Sequence, residues 1–428
     1  MNRALLNTGW ILTEKVMFAL AGIFINVYVA RYLGPDAFGL IGFSMAIVAL
    51  ISPLVKLGSE NVVFNRLVRN QPSGLLLLET SGRIRALLFA CIALLLTVGA
   101  LFYFESREAI IVFCILLWGS FFTANDIFAV FFNALLNAKF NTLAGNIALA
   151  IGVVLKLVFI KFGGSVIWFA SANVAQWAVS YAIKWRVYRR QTRDRVRDFN
   201  GKSRRHTRHL LKVGLPLAIS SISIAIYTRT DQIMLGAMVD QTHVGYYSAA
   251  LTLSQGWMFL PMAIITSYMV RINEAARHND PALFDRKVRK LFAMVLFITL
   301  GPAIFIGVLS EPLVELLYGA DYAPAAMVLS ITVISSVFSG LGTAAHSVIT
   351  VLGGYGFLLR KMIAVSLLNI GLNYLLIPQL GLTGAALSTL CAEILSAFVL
   401  NLLYSRGRIF RLQLEVLMPH KLRESLRV

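Results

Sequence analysis

The sequence predicts an all-α polytopic membrane protein of about 12 transmembrane helices arranged as two lobes of about six each. Three observations carry this. Of 428 residues, 58% are hydrophobic and only 14% charged, and the mean hydropathy is +0.75, which lies outside soluble globular composition. Apolar runs of about 20 residues, long enough to cross a hydrocarbon core of ~30 Å as a helix, recur along the chain. Near the middle they are interrupted by a basic stretch from Lys184 to Lys212.

Taken in order, the predicted spans are 8–30, 38–57, 84–104, 109–136, 143–162 and 165–185, then 213–236, 244–269, 291–310, 325–352, 361–378 and 383–404. The first run carries Glu14 and Lys15 and continues without a small-residue cleavage site, so it is expected to be a true span. Cys91, Cys114 and Cys391 lie singly in apolar runs, without the spacing of a disulfide framework or a zinc site. The domain expectation is residues 1–185 as an N-lobe, 186–212 as a basic connector, 213–404 as a C-lobe and 405–428 as a basic tail. Gly9, Gly39 and the run Phe43 to Ala46 are echoed by Gly214, Gly245 and Tyr247 to Ala250, and Ile160 to Gly164 by Ile377 to Gly381. An even number of spans per repeat gives both lobes the same orientation, related by a pseudo-twofold along the membrane normal and enclosing a cleft.

The formal charge of +19 follows from 39 Lys and Arg against 20 Asp and Glu. Lys15, Lys56, Lys156 and Arg229 are the basic residues read as intramembrane. Of the remaining basic residues, all but Arg31, Arg107 and Lys161 gather on one face of the predicted topology. That bias places both termini and the connector in the cytoplasm. It explains the net charge without nucleic acid, and it brings anionic membrane lipids to the connector at about 1 kcal/mol per basic residue. The connectors on the other face are too short to hold an acid, base or metal constellation, which argues against a membrane polysaccharide polymerase or ligase. No Gly-rich phosphate loop, HExxH or Cys/His cluster occurs. No catalytic residue, metal or resident cofactor is therefore expected, and a coupling proton or sodium ion is the one small ligand in view.

An ionised side chain at the bilayer centre costs on the order of 3 kcal/mol or more, so charges within spans must face a polar cavity or pair across helices. Lys15, Arg229 and Lys156 are the deepest cations and the candidate contacts for a phosphate-bearing cargo, with Arg229 suited to bidentate binding. Tyr227, Asn369 and Asn373 supply hydroxyl and amide groups for a sugar. Glu14, Asp126, Asp231 and Glu393 either hold the cations in place or take up a coupling ion. His346 is either a packed histidine or a proton relay. Arg229 and Asp231 stand about 200° apart around a helix and cannot pair with each other. Polar stripes are expected at Ser220, Ser223, Tyr227 and Asp231, at Asp126, Asn133 and Asn137, at Ser335, Ser339, Gly342 and His346, and at Ser366, Asn369 and Asn373.

Several segments resemble the polysaccharide-transport branch of the multidrug/oligosaccharidyl-lipid/polysaccharide (MOP) flippase superfamily, which includes the Wzx-type O-antigen flippases. They are Arg31 to Gly39, Asp231 with Leu235-Gly236, Val244 to Ala250, Leu317 to Ala323, and Asn369 to Ala386 with Asn369, Asn373, Leu376-Ile377-Pro378, Gly381 and Gly384-Ala385-Ala386 in family order. The resemblance runs from about residue 5 to 404 and implies a fold like that of the multidrug and toxin extrusion transporters. It further implies a flippase that carries an undecaprenyl-pyrophosphate-linked oligosaccharide, an O-antigen or exopolysaccharide repeat unit, from the cytoplasmic to the periplasmic leaflet of the bacterial inner membrane by alternating access. Polysaccharide-assembly proteins would be its partners. A cation-coupled multidrug antiporter of the same superfamily is the alternative. An excess of intramembrane acids and aromatics would favour that antiporter, whereas here intramembrane cations and acids balance.

Overall fold

The computed structural model describes residues 3–192, 203–278 and 280–418; side chains are undescribed for 3–16, 18–20, 203–209, 211–213, 216, 217, 220 and 417. The described residues form α-helices α1 to α16 and short 3-10 turns, with no strand among them. The chain divides into two compact units, Met1–Arg229 and Thr230–Val428. The connector of the sequence expectation falls partly on 193–202, outside the described residues.

Unit 1 begins with α1 (Arg3–Lys56), whose 54 residues are interrupted at Gly34, φ 77° and ψ 169°. Unbroken, this helix would reach about 80 Å, more than twice the ~30 Å hydrocarbon core. Glycine tolerates the left-handed backbone there, and the following Pro35 offers no amide to carry the helical ladder through. The break yields two of the expected spans. The short α2 (Ser59–Arg69) follows, where only a connector was expected; it buries Val62, Val63 and Leu67 and turns Arg66 and Arg69 outward. Then come α3 (Gln71–Tyr103), α4 (Arg107–Gly119), α5 (Phe121–Ala124), α6 (Phe128–Ala134), α7 (Lys139–Lys161), α8 (Val166–Thr192) and most of α9 (Ser203–Met238). The fourth expected span is thus three helical pieces, α4 to α6. An apolar run cannot report such breaks, because they depend on local hydrogen bonds, as where the Ser120 hydroxyl donates to Leu117 O at 2.6 Å.

Unit 2 holds the end of α9, α10 (Gln241–Gly256), α11 (Phe259–Arg277), α12 (Pro281–Val308), α13 (Ser310–Tyr318), α14 (Ala325–Val351), α15 (Tyr355–Ala397) and α16 (Arg408–Leu417). The pair α10 and α11 is bent by 40°. α15 is interrupted at Gly381, φ 56°, again separating two expected spans. By length and hydropathy, eight described helices can cross a membrane, or nine with the bent pair. Dividing α1 and α15 at their glycines and including the 36-residue α9 recovers all the expected spans. Apolar side chains stand outward along them, Phe102 being 87% exposed, as befits faces in contact with lipid rather than water.

The expected basic tail begins with α16. Its Ile409, Leu412 and Val416 join the core built by Ile272, Val288, Phe292 and Val348, and Arg408 and Arg289 pair with Asp285 and Glu415 at 2.7 and 2.9 Å.

Glycine is required where α15 restarts. A Cβ on Gly384 would lie 2.3 Å from Leu376 O, whereas one on Gly371 meets nothing within 4 Å. Gly384→Ala is expected to destabilise the fold by about 1–3 kcal/mol, read as a lowered melting temperature. Gly371→Ala should melt no lower than wild type.

Candidate ion-coupling site

The most completely organised polar site of unit 2 is centred on Asp231, near the end of α9. The carboxylate is 6% exposed, and Asn369 and Asn373, one turn apart on α15, are fully buried. Their Nδ2 atoms donate to Asp231 Oδ1 at 3.2 and 2.6 Å. On the other oxygen, Oδ2, the Tyr247 hydroxyl of α10 donates at 2.8 Å and the Thr389 hydroxyl, beyond the α15 break, donates as well. Gln232 fastens α9 to α10 alongside, its Nε2 donating to Ser248 Oγ at 2.9 Å.

Four neutral donors therefore converge on one carboxylate, which has no cationic partner among the described residues. Hydrogen bonds to a charged acceptor contribute about 1.5–3 kcal/mol each, enough to outweigh the ~3 kcal/mol or more of placing the charge in a span. The amide oxygens of Asn369 and Asn373 are enclosed and lack hydrogen-bond partners. Rotating the two amides would point these oxygens at the carboxylate and assemble, with the two hydroxyls, an all-oxygen shell of single negative charge. Such a shell suits a hard monovalent cation or a proton. The described residues contain no cluster of three or more His, Cys, Asp or Glu able to hold a metal ion.

The other expected site residues are dispersed. Asp126 caps α6, its Oδ1 accepting from Ala129 N at 3.2 Å, and its Oδ2 pairs with Lys184 Nζ of α8 at 2.5 Å. The expected stripe through Asn133 and Asn137 does not form, because α6 ends at Ala134; Asn133 Oδ1 instead accepts from Asn141 Nδ2 at 2.9 Å. The Ser335 and Ser366 hydroxyls donate to their own helices, at Ile331 O and Met362 O. His346 and Glu393 both lie within electrostatic reach of Lys361, whose Nζ donates to Asn401 Oδ1 at 2.9 Å. Tyr227 and Arg229 are half-buried on α9, and both are engaged by neighbouring groups. Lys156 is 6% exposed on α7. The side chains of Glu14, Lys15 and Ser220 lie outside the described residues.

Sequence inspection alone misses several partners. Tyr247 and Thr389 look like ordinary span residues, and only the meeting of α9, α10 and α15 reveals them. Arg85, Lys184 and Lys361 sit at span edges, where a cation normally reaches the headgroups, yet all three are buried. Arg85 Nε and Nη2 donate to Ser59 Oγ at 3.1 and 2.8 Å, and Lys56 pairs with Glu60 at 3.0 Å.

The sequence profile of the family described as "Polysaccharide biosynthesis protein" matches residues 4–272, and the profile described as "MatE" matches 216–375. The chain is 23% identical over 205 residues to a probable low-salt glycan biosynthesis flippase of Haloferax volcanii, covering 46% of this chain and 43% of that one. It is 26% identical over 192 residues to a putative O-antigen transporter of Shigella flexneri, covering 44% and 45%. The matches thus span less than half the length of these curated relatives. Among solved structures, an inward-facing multidrug-resistance MATE transporter of the MOP superfamily superposes with TM-score 0.77 at 18% identity, covering 93% of this chain and 95% of that one. The lipid II flippase MurJ in its inward closed conformation superposes with TM-score 0.72 at 17% identity, covering 96% and 91%. These likenesses establish a shared all-α, multi-pass fold, and the profile match over most of the chain establishes kinship: this protein belongs to the polysaccharide biosynthesis protein family.

Proposed function

We propose that this protein is a flippase. In this account it moves an undecaprenyl-pyrophosphate-linked oligosaccharide from the cytoplasmic to the periplasmic leaflet of a bacterial inner membrane, with access alternating between the two faces. Both termini and the basic connector lie in the cytoplasm, and Asp231 binds the coupling ion, sodium or a proton. The family match and the glycan-related names of the relatives support the cargo class. The one-sided distribution of Lys and Arg supports the orientation. The observation that carries the coupling is the buried Asp231 carboxylate, held by neutral donors beside two amide oxygens with free acceptor capacity. Arg229 and Lys15 are the proposed contacts for the pyrophosphate, and Tyr227 is a proposed contact for the glycan. Asp126 and Glu393 act as structural counter-charges, and His346 as a packed residue.

The MatE profile match over 216–375 favours one second reading, a cation-coupled multidrug antiporter. The two differ in cells. On the flippase account, removing the protein makes a lipid-linked oligosaccharide accumulate on the cytoplasmic leaflet. The wild-type gene clears it and Asp231→Asn does not. Unchanged leaflet distribution with increased sensitivity to cationic drugs would favour the antiporter.

Ion binding at Asp231 is expected to raise thermal stability. A ligand at 100 times its Kd stabilises by about 2.7 kcal/mol, so sodium should lift the melting temperature of the purified protein, and Asp231→Asn should remove that lift. If the coupling ion is a proton, the Asp231-dependent part of stability should follow pH and ignore sodium. Independence from both would exclude Asp231 as the coupling site.

A further inference from the structure

The buried lysines of the described residues are partnered with one exception. Lys184 has Asp126 at 2.5 Å and Lys361 has Asn401 at 2.9 Å. Lys156 is equally buried, at 6% exposed, yet it has no hydrogen-bond, ion-pair or ring partner among the described residues, and no described carboxylate is close enough to act on it.

Its place in the helix rules out a simple route to the headgroups. Lys156 lies only five residues before Lys161 at the end of α7, but helical side chains lean toward the N-terminus, away from that near end. Along the same buried face run Gly145, Ala148 and Gly152. These small residues let α8 pack closely over the turn before the lysine. There Gln176 of α8 approaches so closely that a Cβ on Gly152 would lie 2.6 Å from its Oε1. Around it, α1, α7 and α8 pack on one another. A desolvated ammonium with no counter-charge is unfavourable.

We propose that Lys156 is an anion subsite inside unit 1, at which its ammonium takes a phosphate oxyanion as the missing counter-charge. The proposal rests on the flippase reading for its cargo, the pyrophosphate of the lipid-linked glycan. A phospholipid headgroup offers the same chemistry.

The test is thermal denaturation of the purified full-length protein in neutral detergent, with and without inorganic pyrophosphate, comparing wild type with Lys156→Met, Lys156→Gln and Lys156→Arg. The subsite predicts that pyrophosphate raises the melting temperature of wild type and Lys156→Arg. In the neutral variants the rise should vanish or need at least about tenfold more anion, a 1.4 kcal/mol change. Without anion, Lys156→Met should melt above wild type, since an uncompensated charge is gone. No response in wild type, or equal responses in wild type and both neutral variants, would overturn it. Repeating the comparison in nanodiscs of phosphatidylcholine with or without phosphatidylglycerol separates the two phosphate sources: stabilisation by phosphatidylglycerol that depends on Lys156 assigns the site to a resident lipid. In cells, wild-type leaflet clearance by Lys156→Met alongside its loss in Asp231→Asn would remove the cargo role from Lys156 and leave the flippase account standing.

Discussion

A carboxylate within a membrane span must be neutralised, paired or surrounded by donors, and unit 2 adopts the third solution at Asp231. The donors come from three helices. Tyr247 is brought by α10, Asn369 and Asn373 by one face of α15, and Thr389 by α15 beyond its break at Gly381. Asn373 and Thr389 reach the same carboxylate because α15 breaks between them at Gly381. Where the helix restarts, a Cβ on Gly384 would lie 2.3 Å from Leu376 O, so glycine is needed there. A neutral cage has a functional consequence that an ion pair lacks, because the charge remains available to an incoming cation.

Unit 1 meets the same constraint differently. Asp126 both caps α6 and pairs with Lys184, so its charge is committed to holding a segmented span against α8. Arg85 is held by Ser59, with Glu60 at 3.9 Å, at the turn where α1 gives way to α2. Pairs of this kind are costly to break, since removing one partner strands a buried charge, which suits them to scaffolding. Lys156 departs from the pattern, and its lack of a partner among the described residues separates it from the structural cations.

Much of the fold was legible in the sequence because the bilayer imposes a length and a polarity that few residues can disguise. Twenty-residue apolar runs, Gly34-Pro35 and Gly381 located the spans and their turns. The segmentation of α4 to α6 was not legible, since it depends on side-chain and backbone hydrogen bonds within an unbroken apolar run. Nor was α2, whose apolar face repeats over only three turns. Within the candidate site, Asp231, Asn369 and Asn373 were recognisable as polar groups in apolar surroundings, but their mutual bonding was not, because 138 and 142 residues separate the two asparagines from Asp231. Tyr247 stood out only within the repeat and the family-like segment, and Thr389 not at all, both being residue types that fill spans routinely. Lys184 and Lys361 were hidden by their place at span ends, where an exposed lysine is the ordinary expectation.

The central claim is that an ion gradient acting through Asp231 moves a lipid-linked glycan across the membrane. The most direct measurement reconstitutes the purified protein in liposomes containing an undecaprenyl-pyrophosphate-linked oligosaccharide, imposes a sodium or proton gradient, and follows the appearance of the sugar in the opposite leaflet. The account predicts translocation that one of the two gradients accelerates, that collapses when that gradient is dissipated, and that Asp231→Asn uncouples from it. Translocation at one rate with and without either gradient, in wild type and variant alike, would contradict it.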